Sequence, residues 1–457
     1  MKYIGPFLRM NTLNKSNIKN QLFHLSKEGI KLLTLSSKCG ITIPPKELKL
    51  KNIPNNDINI INSFSPLLCI YKKANPKLIN DGGKFRFEED TVKKEVIISA
   101  NAYMTLSLLE LSEYYKRFKD IDNKKYIHCP LYLSIAKNQL DFYASYLRNE
   151  EGVFVDKKDI TDSIIRDIKF EDKKKKFKFS DQALLMAAYY KYSCLCDQKH
   201  SEIYRAFSLD ILNMFMKYKN SLYDTSFEEL TKLCFAFNIF YEYSKLPEAQ
   251  MILWDLCEYQ QENIVCCSNS ENKLEYYSLQ AINYTLAYNS TNILKFKEAA
   301  CDLNEKLLSL YNCELGTIIK DNKKKEFTFS AVEIITYILS LVLYSETKES
   351  EDQNDFNIVD IFKHHVIDSN IILSWPEVPN LEDVERYRNY SLNSEDLIDE
   401  ANFKLAHITS PENCELAPIF IKYVNLNIKK DEFTQAKSTF DSSVNMFIFY
   451  LIIHLLK

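Results

Sequence analysis

Tyr146-Leu147-Arg148-Asn149-Glu150-Glu151-Gly152-Val153-Phe154 closes one helical stretch, and Tyr311-Asn312-Cys313-Glu314-Leu315-Gly316-Thr317-Ile318-Ile319 closes another in the same way. The first leads, after a charged insertion, to Lys176-Phe177-Lys178-Phe179-Ser180. The second leads to Lys325-Glu326-Phe327-Thr328-Phe329-Ser330. A looser copy runs from Gly82-Gly83-Lys84-Phe85-Arg86-Phe87 to Lys94-Glu95-Val96-Ile97-Ile98-Ser99. Each copy holds a glycine, a short apolar-containing stretch, a polar turn, a second short stretch and a serine ahead of a helix. The alternation in Phe177–Phe179 and Phe327–Phe329 predicts a small β-hairpin between helices. Four of the seven glycines fall in these loops, where a positive φ is wanted at a helix end.

Working outward, the helical period dominates from Val96. Met104, Leu108, Leu111, Tyr115 and Phe118 recur every three or four residues. The same pattern predicts helices over Leu131–Leu147, Asp181–Cys194, Ile203–Tyr218, Phe227–Tyr243, Glu248–Tyr259, Leu274–Tyr288, Ile293–Tyr311 and Val332–Tyr344. It is weaker over Asn357–Val366 and returns over Ile419–Val424 and Thr434–Leu456. Ile18–Leu35 adds one candidate near the start. Ser226 with Glu229, and Ser330 with Glu333, read as capping boxes, and Pro247 suits a first helical turn. Glu229 and Glu333 are therefore structural in this reading.

The sum is an all-α chain of about twelve helices in hairpins, expected to close into an (α/α) toroid with small β-hairpins on one rim. Residues 1–75 read as a lead-in packing on the ring, 76–457 as the toroid, and 370–414 as a long loop or insertion. The loop copies are unevenly spaced, which excludes a regular tetratricopeptide array. Scarce glycine excludes a Rossmann-type sheet.

Composition narrows function only by exclusion. The 457 residues are 46% hydrophobic and 13% aromatic, enough to bury a core rather than stay disordered. A net charge of -4 supplies no global field for nucleic acid. The apolar run Met446–Leu456 is shorter than the ~20 residues a membrane helix needs, so it reads as a buried terminal helix. No export signal is evident at the start, and the 12 cysteines lack metal-ligand spacing. They are expected to be reduced thiols in a cytoplasmic protein, with no metal and no cofactor.

One stretch resembles a known family. Phe179-Ser180-Asp181-Gln182-Ala183-Leu184-Leu185-Met186-Ala187-Ala188-Tyr189-Tyr190, followed by Tyr204-Arg205-Ala206 and Leu222-Tyr223-Asp224, is similar to (α/α)6-toroid proteins of the six-hairpin glycosidase-like type. The resemblance spans about Gly82 to Tyr344. It implies a pocket at one end of the inner helices, and many members cut or epimerise sugars there with carboxylates or histidines. Asp181 alone matches a motif position; a helix first turn also favours a negative charge for structural reasons. The chain departs from sugar enzymes in having only two tryptophans, Trp254 and Trp375.

The candidate catalytic residues are Asp181, Glu151 and Glu377, since glycoside chemistry needs paired carboxylates. Trp375, Phe177, Phe327 and Lys323 are the candidate binding residues. Lys93–Lys94, Lys173–Lys176 and Lys323–Lys325 would form a positive ring if the hairpins share a rim. His364-His365 point about 100° apart on a helix and do not converge on one ion. The expected partner is a carbohydrate or glycoconjugate acted on or bound in a toroid pocket, and the alternative is a non-catalytic helical scaffold that binds a protein or an anionic polymer.

Overall fold

In the computed structural model, twelve helices of nine residues or more lie among the described residues, which are 13–48, 50, 63–81, 84–162, 167–173, 176–263, 273–320, 324, 326–347, 354–405, 416–435 and 438–457. They are α1 (Lys15–Leu35), α2 (Ile98–Lys116), α3 (His128–Tyr146), α4 (Phe179–Leu195), α5 (Gln198–Lys217), α6 (Phe227–Ser244), α7 (Pro247–Asn263), α8 (Lys273–Thr291), α9 (Leu294–Leu308), α10 (Ala331–Thr347), α11 (Asn354–Phe362) and α12 (Ser442–Leu456).

Their packing closes a ring. α2 lies against α4, α4 against α6, α6 against α8, α8 against α10, α10 against α12, and α12 returns to α2. Each inner helix has an outer partner: α3 on α2, α5 on α4, α7 on α6, α9 on α8, α11 on α10 and α1 on α12. The first helix of the chain thus backs the last one, and the molecule is an (α/α) toroid of six hairpins. Burial explains the division. α4 is buried without interruption from Ser180 to Ser193, and α12 from Asn445 to His454. A helix apolar on every side needs neighbours all round. α9 alternates buried and exposed residues, as a wall helix should, whereas α1 is mostly buried between α12 and the segment after α11.

Short strands gather where the chain enters inner helices. β1 (Gly40–Thr42), β2 (Leu67–Ala74), β5 (Lys93–Val96), β6 (Lys157–Asp159) and β7 (Phe170–Asp172) form an antiparallel sheet, with β13 (Phe440–Asp441) also on β2. β3 (Leu78–Asp81) and β4 (Lys84–Phe87) make a hairpin, as do β8 (Tyr311–Asn312) and β9 (Thr317–Ile318). β10 (Glu326–Ser330), β11 (Tyr423–Asn427) and β12 (Glu432–Gln435) form a third antiparallel sheet. β5 feeds α2, β10 feeds α10 and β13 feeds α12, so these strands share the rim at the N-terminal ends of the inner helices.

Several expectations change here. Phe177–Phe179 is not a strand: Phe179 already opens α4, and no described strand pairs with Lys176–Lys178. β10 has the predicted alternation, but its partner is β11, with Phe327 opposite Leu426 and Phe329 opposite Val424. Ile419–Val424 is therefore extended chain leading into β11, not helix. The last helix begins at Ser442 rather than Thr434, because Thr434 and Gln435 belong to β12. Gly152 and Gly316 do take positive φ, +82° and +60°. The Ser330–Glu333 capping box closes both ways. At Ser226 only half forms, because the Glu229 carboxylate turns to α4 instead.

The long segment after α11 is a strap on the outer wall. Trp375 is buried there, its indole N–H donating to the Phe403 carbonyl. Glu385 accepts from Tyr114 Oη at 2.8 Å and pairs with Lys27 and Lys125. These cations hold its carboxyl well below the usual range despite burial.

Candidate functional site

A cup of about 990 Å³ opens at the N-terminal ends of the inner helices. Its wall takes Ser99 and Tyr103 from α2, and Asp181 and Leu184 from α4. Glu228 and Lys232 come from α6, Lys273 and Glu275 from α8, Val332 and Glu333 from α10, and Val444 and Phe447 from α12. Phe327 and Tyr423, from β10 and β11, overhang it, with Lys178, Lys320, Lys324 and Lys422 at the edge. Aromatic packing stops the floor. Tyr103 lies 5.2 Å from Phe447 and stacks at 5.4 Å on Tyr450, which stacks in turn on His454. At the far end Glu110 and Lys191, both fully buried, pair at 2.5 Å, and His454 Nδ1 lies 3.0 Å from the same carboxylate. The ring is therefore a closed-bottomed cup.

The helix ends around the mouth expose backbone donors, and carboxylates satisfy them. Asp156 accepts from Ile98 N at 3.0 Å, and Glu229 from Ser180 N at 2.7 Å and Ser180 Oγ at 3.0 Å. Glu333 accepts from Ser330 N at 2.8 Å, and Asp441 from Ser443 N at 3.1 Å. Glu333 also receives Lys320 Nζ at 2.7 Å, and Glu228 receives Lys232 Nζ at 2.5 Å.

Asp181 differs from all of these. It is 4% exposed, and its Oδ1 has no hydrogen-bond partner among the described residues. Burial pushes its carboxyl up to about 7; Lys178 and Lys232 oppose the shift, and the capping carboxylates Asp156 and Glu229 add to it. Glu275, half-buried across the cup, is also pushed up to about 7, by burial against the pull of Lys232, with Glu333 and Glu228 adding. Tyr103 is held well above a free phenol by burial and by the charges of Asp181 and Glu229. A carboxyl that changes protonation near neutrality can give or take a proton at working pH. Two such groups line one cup.

Of the residues singled out from the sequence, Asp181 and Phe327 meet in this cup. Glu151 is exposed in the turn before β6 and does not line it. Glu377 is exposed on the strap, its backbone carbonyl 2.8 Å from His24 Nε2. Trp375 is packed in the strap and offers no ring face to the mouth. Phe177 packs edge-on to Phe179, 5.1 Å between centroids, outside the cup wall. Lys323 lies outside the described residues. Lys93 and Lys173 do converge, both on Glu95 in the rim sheet. His365 is buried against Thr317 Oγ1 at 2.9 Å, whereas His364 faces Asp431 at 2.9 Å. Among the described residues no three His, Cys, Asp or Glu side chains gather to hold a metal ion.

Sequence reading missed Tyr103, Lys232 and Glu275. Tyr103 and Lys232 sit on helices whose periodicity reads as core or solvated face. The available signal was parity: every second helix is an inner one, and its first turns face the mouth.

No protein-family model matches the chain, and no curated protein matches it. Solved structures do. A D-mannose isomerase aligns over 84% of this chain and 91% of its own, at 10% identity and a TM-score of 0.47. A cellobiose 2-epimerase from Bacillus thermoamylovorans aligns over 66% and 81%, at 10% identity and 0.44. A GH76 alpha-mannanase from Bacteroides thetaiotaomicron aligns over 97% and 98%, at 10% identity and 0.44. The six-hairpin (α/α) toroid of this chain is read from its own helix packing. Likeness at that level carries no argument about its chemistry.

Proposed function

We propose that the cup binds a carbohydrate and that Asp181 transfers a proton to or from it, with Glu275 as the second proton-handling group. What carries the reading is Asp181: a buried carboxyl with an unpartnered oxygen, poised near 7, on the wall of an open cavity. A purely structural aspartate would be expected to cap a helix or pair with a cation, as Asp156 and Glu333 do. The cavity lies at the upper end of the ~300–1,000 Å³ range of small-ligand sites. Its wall alternates charged groups with the rings of Tyr103, Phe327, Tyr423 and Phe447. That mixture suits a ligand with hydroxyls on its edge and C–H faces above and below. A reducing, cytoplasmic setting is the location proposed with it, since the described cysteines are free thiols.

The test is turnover of monosaccharides and disaccharides, followed by NMR for epimerised, isomerised or hydrolysed products, with Asp181→Asn beside the parent. Proton transfer by one residue is worth about 10²–10⁴-fold, so the variant should lose that much in kcat while still binding sugar. The kcat/KM profile of the parent should show a group titrating near 7. If no sugar binds, or the variant turns over as fast as the parent, the catalytic reading falls and the cup is a binding scaffold at most.

A further inference from the structure

The cup has cations to spare, and this says what kind of sugar it takes. Six lysines line it: Lys178, Lys232, Lys273, Lys320, Lys324 and Lys422. Five carboxyls share the wall: Asp181, Glu228, Glu275, Glu326 and Glu333. Two of those carboxyls are already ion-paired. Glu228 holds Lys232, Glu333 holds Lys320 and the Ser330 amide, and Glu326 accepts from Asn427 Nδ2 at 2.9 Å. Asp181 and Glu275 keep protons up to about neutrality.

Lys324 is engaged too, which leaves three of the six lysines with no carboxylate within 4 Å among the described residues. Lys178 precedes α4, Lys273 opens α8 and Lys422 precedes β11, so they stand at separate stations around the mouth. Lys273 lies over the ring of Tyr277 and Lys422 over that of Tyr423, contacts that leave the ammonium donors available. Elsewhere on the rim this chain pairs its lysines readily: Lys72, Lys93 and Lys173 all meet Glu95. Unpaired ammonium groups facing one cavity from three sides are an unmet demand for negative charge, and a ligand anion would supply it.

We infer that the natural ligand of the cup is an anionic sugar, one carrying a phosphate or a carboxylate group that Lys178, Lys273 and Lys422 bind. The inference rests on the carbohydrate reading of the cup and narrows it. The sugar ring lies against the aromatic wall near Asp181 and the anion lies toward the lysines.

The experiment is calorimetric titration of the full chain with three matched series: neutral hexoses, the same hexoses as 6-phosphates, and the corresponding uronic acids. Inorganic phosphate is run beside them. At least one anionic series should bind about tenfold tighter than its neutral parents, and the advantage should fade in about 0.5 M salt. Lys178→Gln and Lys273→Gln should each weaken anion binding by about three- to tenfold more than they weaken neutral-sugar binding. Comparison of phosphates with uronic acids decides which anion is preferred. If neutral sugars bind as tightly as charged ones, the anionic inference is overturned while the carbohydrate reading stands. If inorganic phosphate binds as tightly as the sugar phosphates, the sugar contributes nothing and the carbohydrate reading fails. If no member of any series binds, both fall.

Discussion

Asp181 should make the protein less stable as pH rises from about 4 to about 7, and replacing it with asparagine should remove that loss. In the unfolded chain an aspartate releases its proton near 3.9; in the fold Asp181 holds it to about 7 because burial penalises the charge. Between those pH values the folded chain binds more protons than the unfolded one, so stability falls as pH increases. Each pH unit of the gap is worth about 1.4 kcal/mol, giving about 4 kcal/mol once both states are ionised. A chain of 457 residues has an unfolding entropy of about 1 kcal/mol/K, so the loss corresponds to about 4 °C in melting midpoint. Asp181→Asn carries no charge in either state. Its midpoint should exceed the parent's by about 4 °C near pH 8 relative to whatever offset the two show near pH 4. Taking that difference cancels any constant cost of the amide and the titration of all other groups. Scanning calorimetry at a fixed rate across this range is the assay. Midpoints that keep the same offset at both ends would mean that Asp181 is ionised in the fold like an ordinary surface carboxylate, and the proton-transfer argument would lose its base.

The closed end of the ring and its seam are testable in the same way. Glu110→Gln strips the fully buried Lys191 of its nearest counter-charge and should cost about 3–5 kcal/mol, read as a lower midpoint at neutral pH. Glu110 is held well below its usual value by Lys191 and His454, so the parent keeps this contribution into mild acid and loses it only as pH falls through the folded value. Gly29→Ala tests the α1–α12 seam. A Cβ there would stand 2.7 Å from Phe449 Cζ and 3.3 Å from the Pro418 carbonyl, an overpacking cost of about 1–3 kcal/mol. Amide exchange should rise in α1 and α12 and stay unchanged in α6; a uniform rise would argue against a local seam.

The hairpins and their order were legible in the sequence because a helix writes its period locally. Leu131–Leu147 and Phe227–Tyr243 land within a few residues of α3 and α6. Pairings between distant segments were not legible. Nothing in Phe327-Thr328-Phe329 points to Val424 and Leu426 about a hundred residues on, so Ile419–Val424, which leads into β11, reads as helix from a few apolar residues. Ring closure by α1 on α12 is the longest such pairing, and it depends on a glycine that lies inside a helix, where glycine costs ~1 kcal/mol against alanine. The sequence displays that cost without displaying what offsets it.

The candidate site divides along the same line. Asp181 could be singled out because it sits in a recognisable stretch opening α4, but an aspartate in a first helical turn is ordinarily a charged partner of the helix dipole. Its fold reverses that. The donors it would have satisfied are taken by Glu229, which reaches across from α6 to Ser180. Had Glu229 closed its own capping box, as its spacing from Ser226 predicts, the Ser180 amide and hydroxyl would lack their present acceptor. Burial raises the Asp181 carboxyl, and the Glu229 charge from the neighbouring hairpin adds to it. Glu151 and Glu377, chosen from the sequence as its partners, lie elsewhere, while Glu275, two hairpins on in the ring, shares its wall.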